Sequence, residues 1–282
     1  MTLLLLVSII WAFSFGLVKG QLAGLDPTLV AVLRLSLSLL VFLPFARWRA
    51  VPGAARWRFI AIGALQFGAM YLFYLRAYAY LAAYEVALFT IITPLYIVTL
   101  DAIMERRWET RFMLAALVAA IGAAIVIYTA PHSPRLLTGF LLVQGSDFCF
   151  ALGQLLWRRE RARFANGLGD AQLFALPYAG AVALTLIASG FTTPWSQLAD
   201  MTLSQFGTIA YLGIVASGLC FFWWNVGARH VNAGILAALN NAKVPLGVAC
   251  SLLFFGEQAE LPLLVLSLTL LGGALWIAGR KK

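Results

Sequence analysis

Apolar runs of about 18 to 22 residues recur along this chain, at approximately 3–20, 28–46, 58–77, 82–103, 112–130, 138–157, 171–190, 205–226, 234–255 and 262–279. A helix of that length rises about 30 Å, the thickness of a bilayer's hydrocarbon core. Ten runs predict ten transmembrane helices holding about 200 of the 282 residues, so only short connections remain. The expected fold is all-α and integral to the membrane, with no soluble domain. The first run lacks a basic flank and an A-x-A-like site, and Trp11, Phe13 and Phe15 carry it on to Lys19. It therefore reads as helix one and not as a cleaved signal.

The pattern also repeats. Placing Pro94 on Pro245 superposes FYLRAYAYLAAYEVALFTIITPLYIVTLDAIMER, from Phe73, on WNVGARHVNAGILAALNNAKVPLGVACSLLFFGE, from Trp224. In each, a helix ending in aromatic residues leads through a tight polar turn into a helix with a proline at the same place, and an acidic residue follows. Five helices per half is an odd number, so the second half enters the membrane in the opposite sense. The expectation is two inverted five-helix repeats, 1–130 and 131–282, with a binding site near the midplane and Pro94 and Pro245 as hinges.

Composition agrees with a membrane protein: 62% of residues are hydrophobic, 11% are charged, and mean hydropathy is +0.90. The net charge of +9 would suggest nucleic acid in a soluble protein. Here the basic residues fall in alternate loops, which instead sets topology. With a cytoplasmic N-terminus, Arg47, Arg49, Arg56, Arg58, Arg106, Arg107, Arg111, Arg158, Arg159, Arg161, Arg163 and Arg229 lie inside, together with Arg280, Lys281 and Lys282. The outer loops then carry Asp26, Asp200, Glu257 and Glu260, with Arg135 the main exception. Both termini are expected on the cytoplasmic side of a bacterial-type inner membrane.

Catalytic signatures are missing. Cys149, Cys220 and Cys250 fall inside apolar runs without metal-ligand spacing, and His132 and His230 fall in loops. No GxxxxGK[ST] phosphate loop is present, which argues against a built-in ATP motor. The expectation is a protein that is not an enzyme and takes no cofactor, metal or nucleic acid.

What remains is a small set of polar groups inside the runs, where a charge at a helix centre costs about 2.5 to 3.5 kcal/mol unless it has a partner, a wet cavity or a role. In LNNAKVPLGVAC, helical spacing puts Asn240, Lys243, Gly247 and Cys250 on one face, with Asn241 beside them. Lys243 reads as an anchor for an anion, or else as half of a structural ion pair. On the sixth run Gln144, Asp147, Ala151 and Gln154 form a matching stripe. Asp147 would pair with Lys243 or Arg34, hold a substrate ammonium, or take up a proton. Glu85 shares a face with Phe89, which the repeat aligns with Asn240; it reads as an outer gate or proton site, or as a partner of Arg76. Arg34 is expected in a structural or gating pair, Lys19 snorkelling to the interface, and Asp101 paired with loop arginines.

Aromatic stripes accompany these groups. Trp11 and Phe15 share one face of helix one with Ser14 beside them; Phe67, Tyr71, Tyr74 and Tyr78 run along helix three; and Trp223, Trp224 and Asn225 end helix eight. Such stripes pack or mark the interface, and the candidate substrate contacts among them are Trp11, Ser14, Phe15, Tyr74, Phe89 and Trp224.

The stretches WAFSFGLVKG and GLDPTLVAVLRLSLSLLVFLP, the proline-centred fourth run with MERRWE, and its echo NNAKVPLGVACSLLFFGEQ resemble the EamA-type branch of the drug/metabolite transporter superfamily. The resemblance covers nearly the whole chain, with Trp11, Lys19, Pro27, Arg34, Pro94, Pro245 and Glu257 at pattern positions. It implies a ten-helix fold and secondary transport of small metabolites, often export of amino acids or amines. Lys243, Asn240 and Asn241 depart from the pattern, which has small or apolar residues there. The function expected from all this is alternating-access export of an amino acid or related zwitterion or carboxylate, with proton coupling left open. The competing readings are passive uniport of another small metabolite, such as an amine, vitamin or nucleoside-like compound, and a non-transporting accessory subunit.

Overall fold

The apolar runs become helices where caps and prolines let them start and stop. The computed structural model describes residues 2–106, 114, 118, 121, 134–164, 167–231, 233–258 and 261–279, without the side chains of Asn241 and some of its neighbours. The predicted helix at 112–130 lies outside these residues, but for Leu114, Val118 and Ile121; so do Arg107, Arg111, His132, Glu260, Arg280, Lys281 and Lys282. Among the described residues the chain is helical, with no strand. The long helices are α1 (Thr2–Gln21), α2 (Pro27–Phe42), α3 (Gly53–Ala77), α4 (Ala83–Met104), α5 (Pro134–Arg163), α6 (Ala175–Thr192), α7 (Leu203–Ala228), α8 (Ala233–Phe254) and α9 (Leu261–Gly279). Seven spans, α1 to α7, are long and apolar enough to cross a membrane on their described residues. The chain is a multispan, all-helical membrane protein.

Local chemistry sets several boundaries. Asp26 starts α2 by accepting from the Leu29 N–H at 2.9 Å, with Pro27 at the first helical position, where its missing N–H costs nothing. Thr202 and Gln205 form a reciprocal capping box at the start of α7. Helix α5 runs past the apolar stretch to Arg163, because Trp157–Arg163 contains no breaker and its charged residues are good helix formers. Glu160 and Arg161, expected in a loop region, are instead helical and buried.

The two prolines behave differently. Pro94 follows a 3₁₀ turn, Thr90–Ile92, inside α4. Proline cannot donate to the carbonyl four residues back, and here the Thr93 hydroxyl donates to that Thr90 carbonyl at 2.6 Å. Pro245 lies inside α8, which continues through it without a break in helical assignment.

Two helices also change pitch. Ala64–Ala69 in α3 and Leu212–Leu219 in α7 are π-helical. Such segments loosen the i to i−4 ladder and free carbonyls for other donors. In α7 the donors come from three neighbours: Ser38 of α2 reaches the Gly213 carbonyl at 2.8 Å, Trp11 Nε1 of α1 reaches Ala216 at 2.8 Å, and the Tyr178 hydroxyl of α6 reaches Ser217 at 2.6 Å.

The helices pack mainly across the two halves of the chain: α1 along α8, α2 against α6 and α7, α3 against α5 and α6, and α4 against α8 and α5. Where α3 crosses α6 the backbones touch. A Cβ on Gly63 would lie 1.9 Å from the Pro177 carbonyl oxygen, and one on Gly180 would lie 1.9 Å from that of Ile60. Small residues are what permit such close helix crossings in a membrane. The outer surface is apolar, with Phe191 and Leu253 about four-fifths exposed, as a lipid-facing wall requires.

Because the atoms in the way at Gly63 and Gly180 are backbone, no rotamer change relieves a larger side chain. Gly180→Val is expected to destabilise the protein by at least the 1–3 kcal/mol typical of overpacking. Gly190→Ala, at a site with no neighbour within 4 Å, should be near neutral. Thermal unfolding in detergent compares the two.

Candidate functional site

The π-helical segment of α7 builds the first part of the site. It turns Ser217 so that its hydroxyl donates to the Leu212 carbonyl, five residues back, at 2.7 Å. Both lone pairs of that oxygen then face donors: Arg34 Nη2 at 3.1 Å, with Nε at 3.3 Å, and the Tyr71 hydroxyl at 2.7 Å. Arg34 Nη2 also donates to the Tyr71 oxygen at 2.8 Å, and its guanidinium carbon lies 4.7 Å from the Tyr71 ring centre. Among the described residues the expected ion pair of Arg34 is not made. This arginine, only 2% exposed, is held by two neutral hydroxyls, and among those residues its Nη1 has no partner.

The second part comes from α8 and α5. Lys243 Nζ donates to Asn240 Oδ1 at 3.2 Å, one turn away on the same helix, and sits 5.3 Å from the Trp11 ring and 5.8 Å from the Phe150 ring. Asn240 is fully buried, and among the described residues its Nδ2 has no partner. Asp147 of α5 lies in the same wall as Lys243, and each is within the other's electrostatic field. Among the described residues the ion pairs closer than 4.0 Å include neither of them, and Asp147 Oδ2 is buried without a partner. The anticipated permanent Lys243–Asp147 or Arg34–Asp147 bridge is therefore absent.

Arg34, Tyr71, Asp147 and Lys243 line one cavity. Of the expected contacts it gathers Trp11, Ser14, Phe15, Tyr74, Asp147 and Lys243. Helix α2 enters the wall through Arg34, which the sequence reading had not placed there. Met70, Tyr71, Thr90, Ser146, Phe150 and Phe221 line it too, and were not singled out as contacts. The position of Tyr71 one turn from Tyr74 was a usable signal; Phe150 and Phe221 look like any other core aromatics in the sequence. Among the described lining residues two cations face one carboxylate, an excess of one positive charge when all three are ionised.

Other candidates support the wall from behind. Trp224 packs on Trp11 with ring centres 5.2 Å apart and donates to Gln154 at 2.9 Å. Gln144 donates to the Phe89 carbonyl at 3.4 Å, while the Phe89 ring packs on Phe140. Glu85 neither pairs with Arg76 among the described ion pairs nor enters the cavity wall; its carboxylate accepts from the Ala82 N–H at 2.8 Å and caps α4. Lys19 does not snorkel freely but donates to two backbone carbonyls, of Tyr78 and Leu81. The side chain of Asn241 lies outside the description, and Pro94 and Pro245 stand beside the site without lining it.

Ser217→Ala removes the only acceptor that Arg34 shares with Tyr71, leaving a buried cation short of partners. Thermal unfolding is expected to show a loss of about 1–3 kcal/mol.

The comparisons with known proteins agree on the kind of protein this is. The profile of the EamA-like transporter family matches residues 1–129 and 138–279. The chain is 37% identical over 279 residues to the "Biotin transporter" of Escherichia coli, covering 98% of this chain and 92% of that one. It is 38% identical over 278 residues to the "Probable biotin transporter" of Pseudomonas aeruginosa, covering 98% and 96%, and 36% identical to the "Biotin transporter" of Salmonella typhimurium, covering 98% and 92%. A crystal structure of a protein 20% identical superposes with a TM-score of 0.68 over 98% of this chain and 95% of its own, which speaks to the fold alone. A buried, charged cavity inside a bundle of membrane-spanning helices, together with a family match along nearly the whole chain, makes this protein a member of the EamA-like transporter family of the drug/metabolite transporter superfamily, and not an enzyme.

Proposed function

We propose that this protein carries biotin, or a vitamin acid closely like it, across the bacterial inner membrane. This replaces the expectation of an amino acid or zwitterion exporter, which full-length relatives named as biotin transporters overturn, and takes up the vitamin among the competing readings. The observation that carries the proposal is the excess positive charge of the cavity. A carboxylate entering beside Lys243 and Arg34 balances it, whereas a zwitterion would leave the excess in place.

The rest of biotin suits the remaining groups. Its carboxylate would meet Lys243; a ureido N–H would donate to Asp147 Oδ2; and the ureido carbonyl would accept from Arg34 Nη1. Its apolar ring and tail would lie against Trp11, Phe150 and Phe221. Any proton coupling would run through Asp147, since Glu85 is engaged as a helix cap.

In this reading the chain forms ten helices in two inverted repeats, moving by alternating access with Pro94 and Pro245 as flexible points. Support comes from the two π-helical segments, which fall in α3 and α7, the third helix of each expected half. The end bearing Arg58–Glu160, Arg159–Glu105 and Arg161–Asp170, at 2.6 to 2.7 Å, with Arg229 also on Asp170, would face the cytoplasm.

Quenching of Trp11 fluorescence or thermal stabilisation by biotin tests the proposal in purified protein. Lys243→Met should weaken biotin binding at least about tenfold, as loss of a charge-assisted contact requires. Biotin amide should bind the parent no better than biotin binds the variant. Equal affinity of the parent for biotin and its amide would sink the proposal.

A further inference from the structure

Lys19 and Glu257, both at positions of the family resemblance, take no part in the central cavity. They meet instead on one turn. Lys19, near the end of α1, donates to the carbonyls of Tyr78 at 2.8 Å and Leu81 at 2.9 Å, where α3 finishes. Glu257, in the connection between α8 and α9, accepts from the N–H groups of Ala83 at 2.7 Å and Tyr84 at 2.9 Å, where α4 begins. A helix leaves its last carbonyls and first N–H groups unpaired, with partial negative and positive charge respectively. An ammonium on the former and a carboxylate on the latter are the matching signs, and both contacts are charge-assisted. The turn between α3 and α4 is thus clamped by α1 on one side and the α8–α9 connection on the other.

A second cavity opens beside this turn, and its wall includes Val18, Lys19, Leu25, Tyr78 and Gln197. Only one helical turn of α1 and of α3 separates it from the central cavity: Phe15 and Tyr74 face the central space, Val18 and Tyr78 the second. The partition is aromatic. The Phe15 and Tyr74 rings meet edge to face with centres 6.2 Å apart, and the Tyr74 hydroxyl is bonded to that of Tyr78 at 2.7 Å.

We infer that the second cavity is the substrate's passage between the central site and the end of the molecule remote from the ion pairs. Phe15 and Tyr74 close it, and the Lys19–Glu257 clamp on the α3–α4 turn holds it closed. Parting α1 from α3 separates the two rings, and it requires Lys19 to release both carbonyls. This rests on the central cavity being the transport site, and is independent of which vitamin it carries.

The test is cysteine accessibility. With Cys149, Cys220 and Cys250 replaced by alanine, Ser14→Cys places a thiol in the central wall. A charged, membrane-impermeant methanethiosulfonate is applied separately to the two faces of sealed vesicles. Lys19→Met and Glu257→Gln are each expected to raise the labelling rate from the second-cavity face about tenfold, the shift that loss of a charged hydrogen bond gives a two-state equilibrium. Unchanged labelling from that face in both variants, each eluting as intact protein and reacting fully once denatured, would overturn the inference. So would a rise seen only from the opposite face. Because labelling needs no ligand, failure of biotin to bind would leave this result standing.

Discussion

Inside hydrocarbon no water takes up a stray carbonyl or N–H, so each backbone group released from a helix must find a partner in the protein. The arrangement of this molecule follows from where it releases them. The π-helical segment of α7 frees carbonyls at Gly213, Ala216 and Ser217, and Ser38, Trp11 and Tyr178 from α2, α1 and α6 take them. Three helices are thereby fixed around a fourth at membrane depth. The Trp11 ring, pinned through its indole N–H, then has a defined face to offer Lys243. Ser217, turned by the same distortion, becomes the acceptor that holds Arg34. The cavity wall is thus a consequence of one irregular stretch of backbone being satisfied by its neighbours.

The charges follow a related logic. Among the described residues Arg34 and Lys243 are buried without direct carboxylate contacts, each held by neutral acceptors and aromatic faces. Such partners offset part of the desolvation cost while leaving donors such as Arg34 Nη1 unused. A tight bridge to Asp147 would have neutralised the site and closed it to an anion. Keeping the ions near one another but not in contact leaves a field that a ligand can complete.

Packing across the halves carries a consequence for motion. Since α1 lies along α8 and α3 along α5 and α6, movement of one half against the other must slide these contacts. The Gly63–Gly180 crossing brings the backbones of α3 and α6 into contact. Contacts at the helix ends are of another kind: Arg58–Glu160 and the Asp170 pairs at one end, and the Lys19 and Glu257 contacts at the other, are polar and separable. The proposed alternating access would part these polar ends around the central cavity.

The positions of the seven spans were legible in the sequence, because a bilayer demands about 20 apolar residues per crossing wherever the chain crosses. The same economy made Lys243, Asp147 and Arg34 conspicuous, as charges inside apolar runs are rare and need a reason. What these groups touch was not legible. Arg34 was expected beside a carboxylate and lies on Tyr71 and Ser217; Glu85 was expected at a gate and caps its own helix; Lys19 was expected at the interface and holds the end of α3. Those partners come from residues far apart in the chain, brought together by a change of helical pitch that apolar periodicity does not encode. The sequence by itself determined which segments enter the membrane and which of their residues cannot be passive there, since both depend only on transfer from water to hydrocarbon. Tertiary structure alone decided which of those residues share a cavity, which brace it and which hold the ends of neighbouring helices, because such roles depend on partners supplied by other helices.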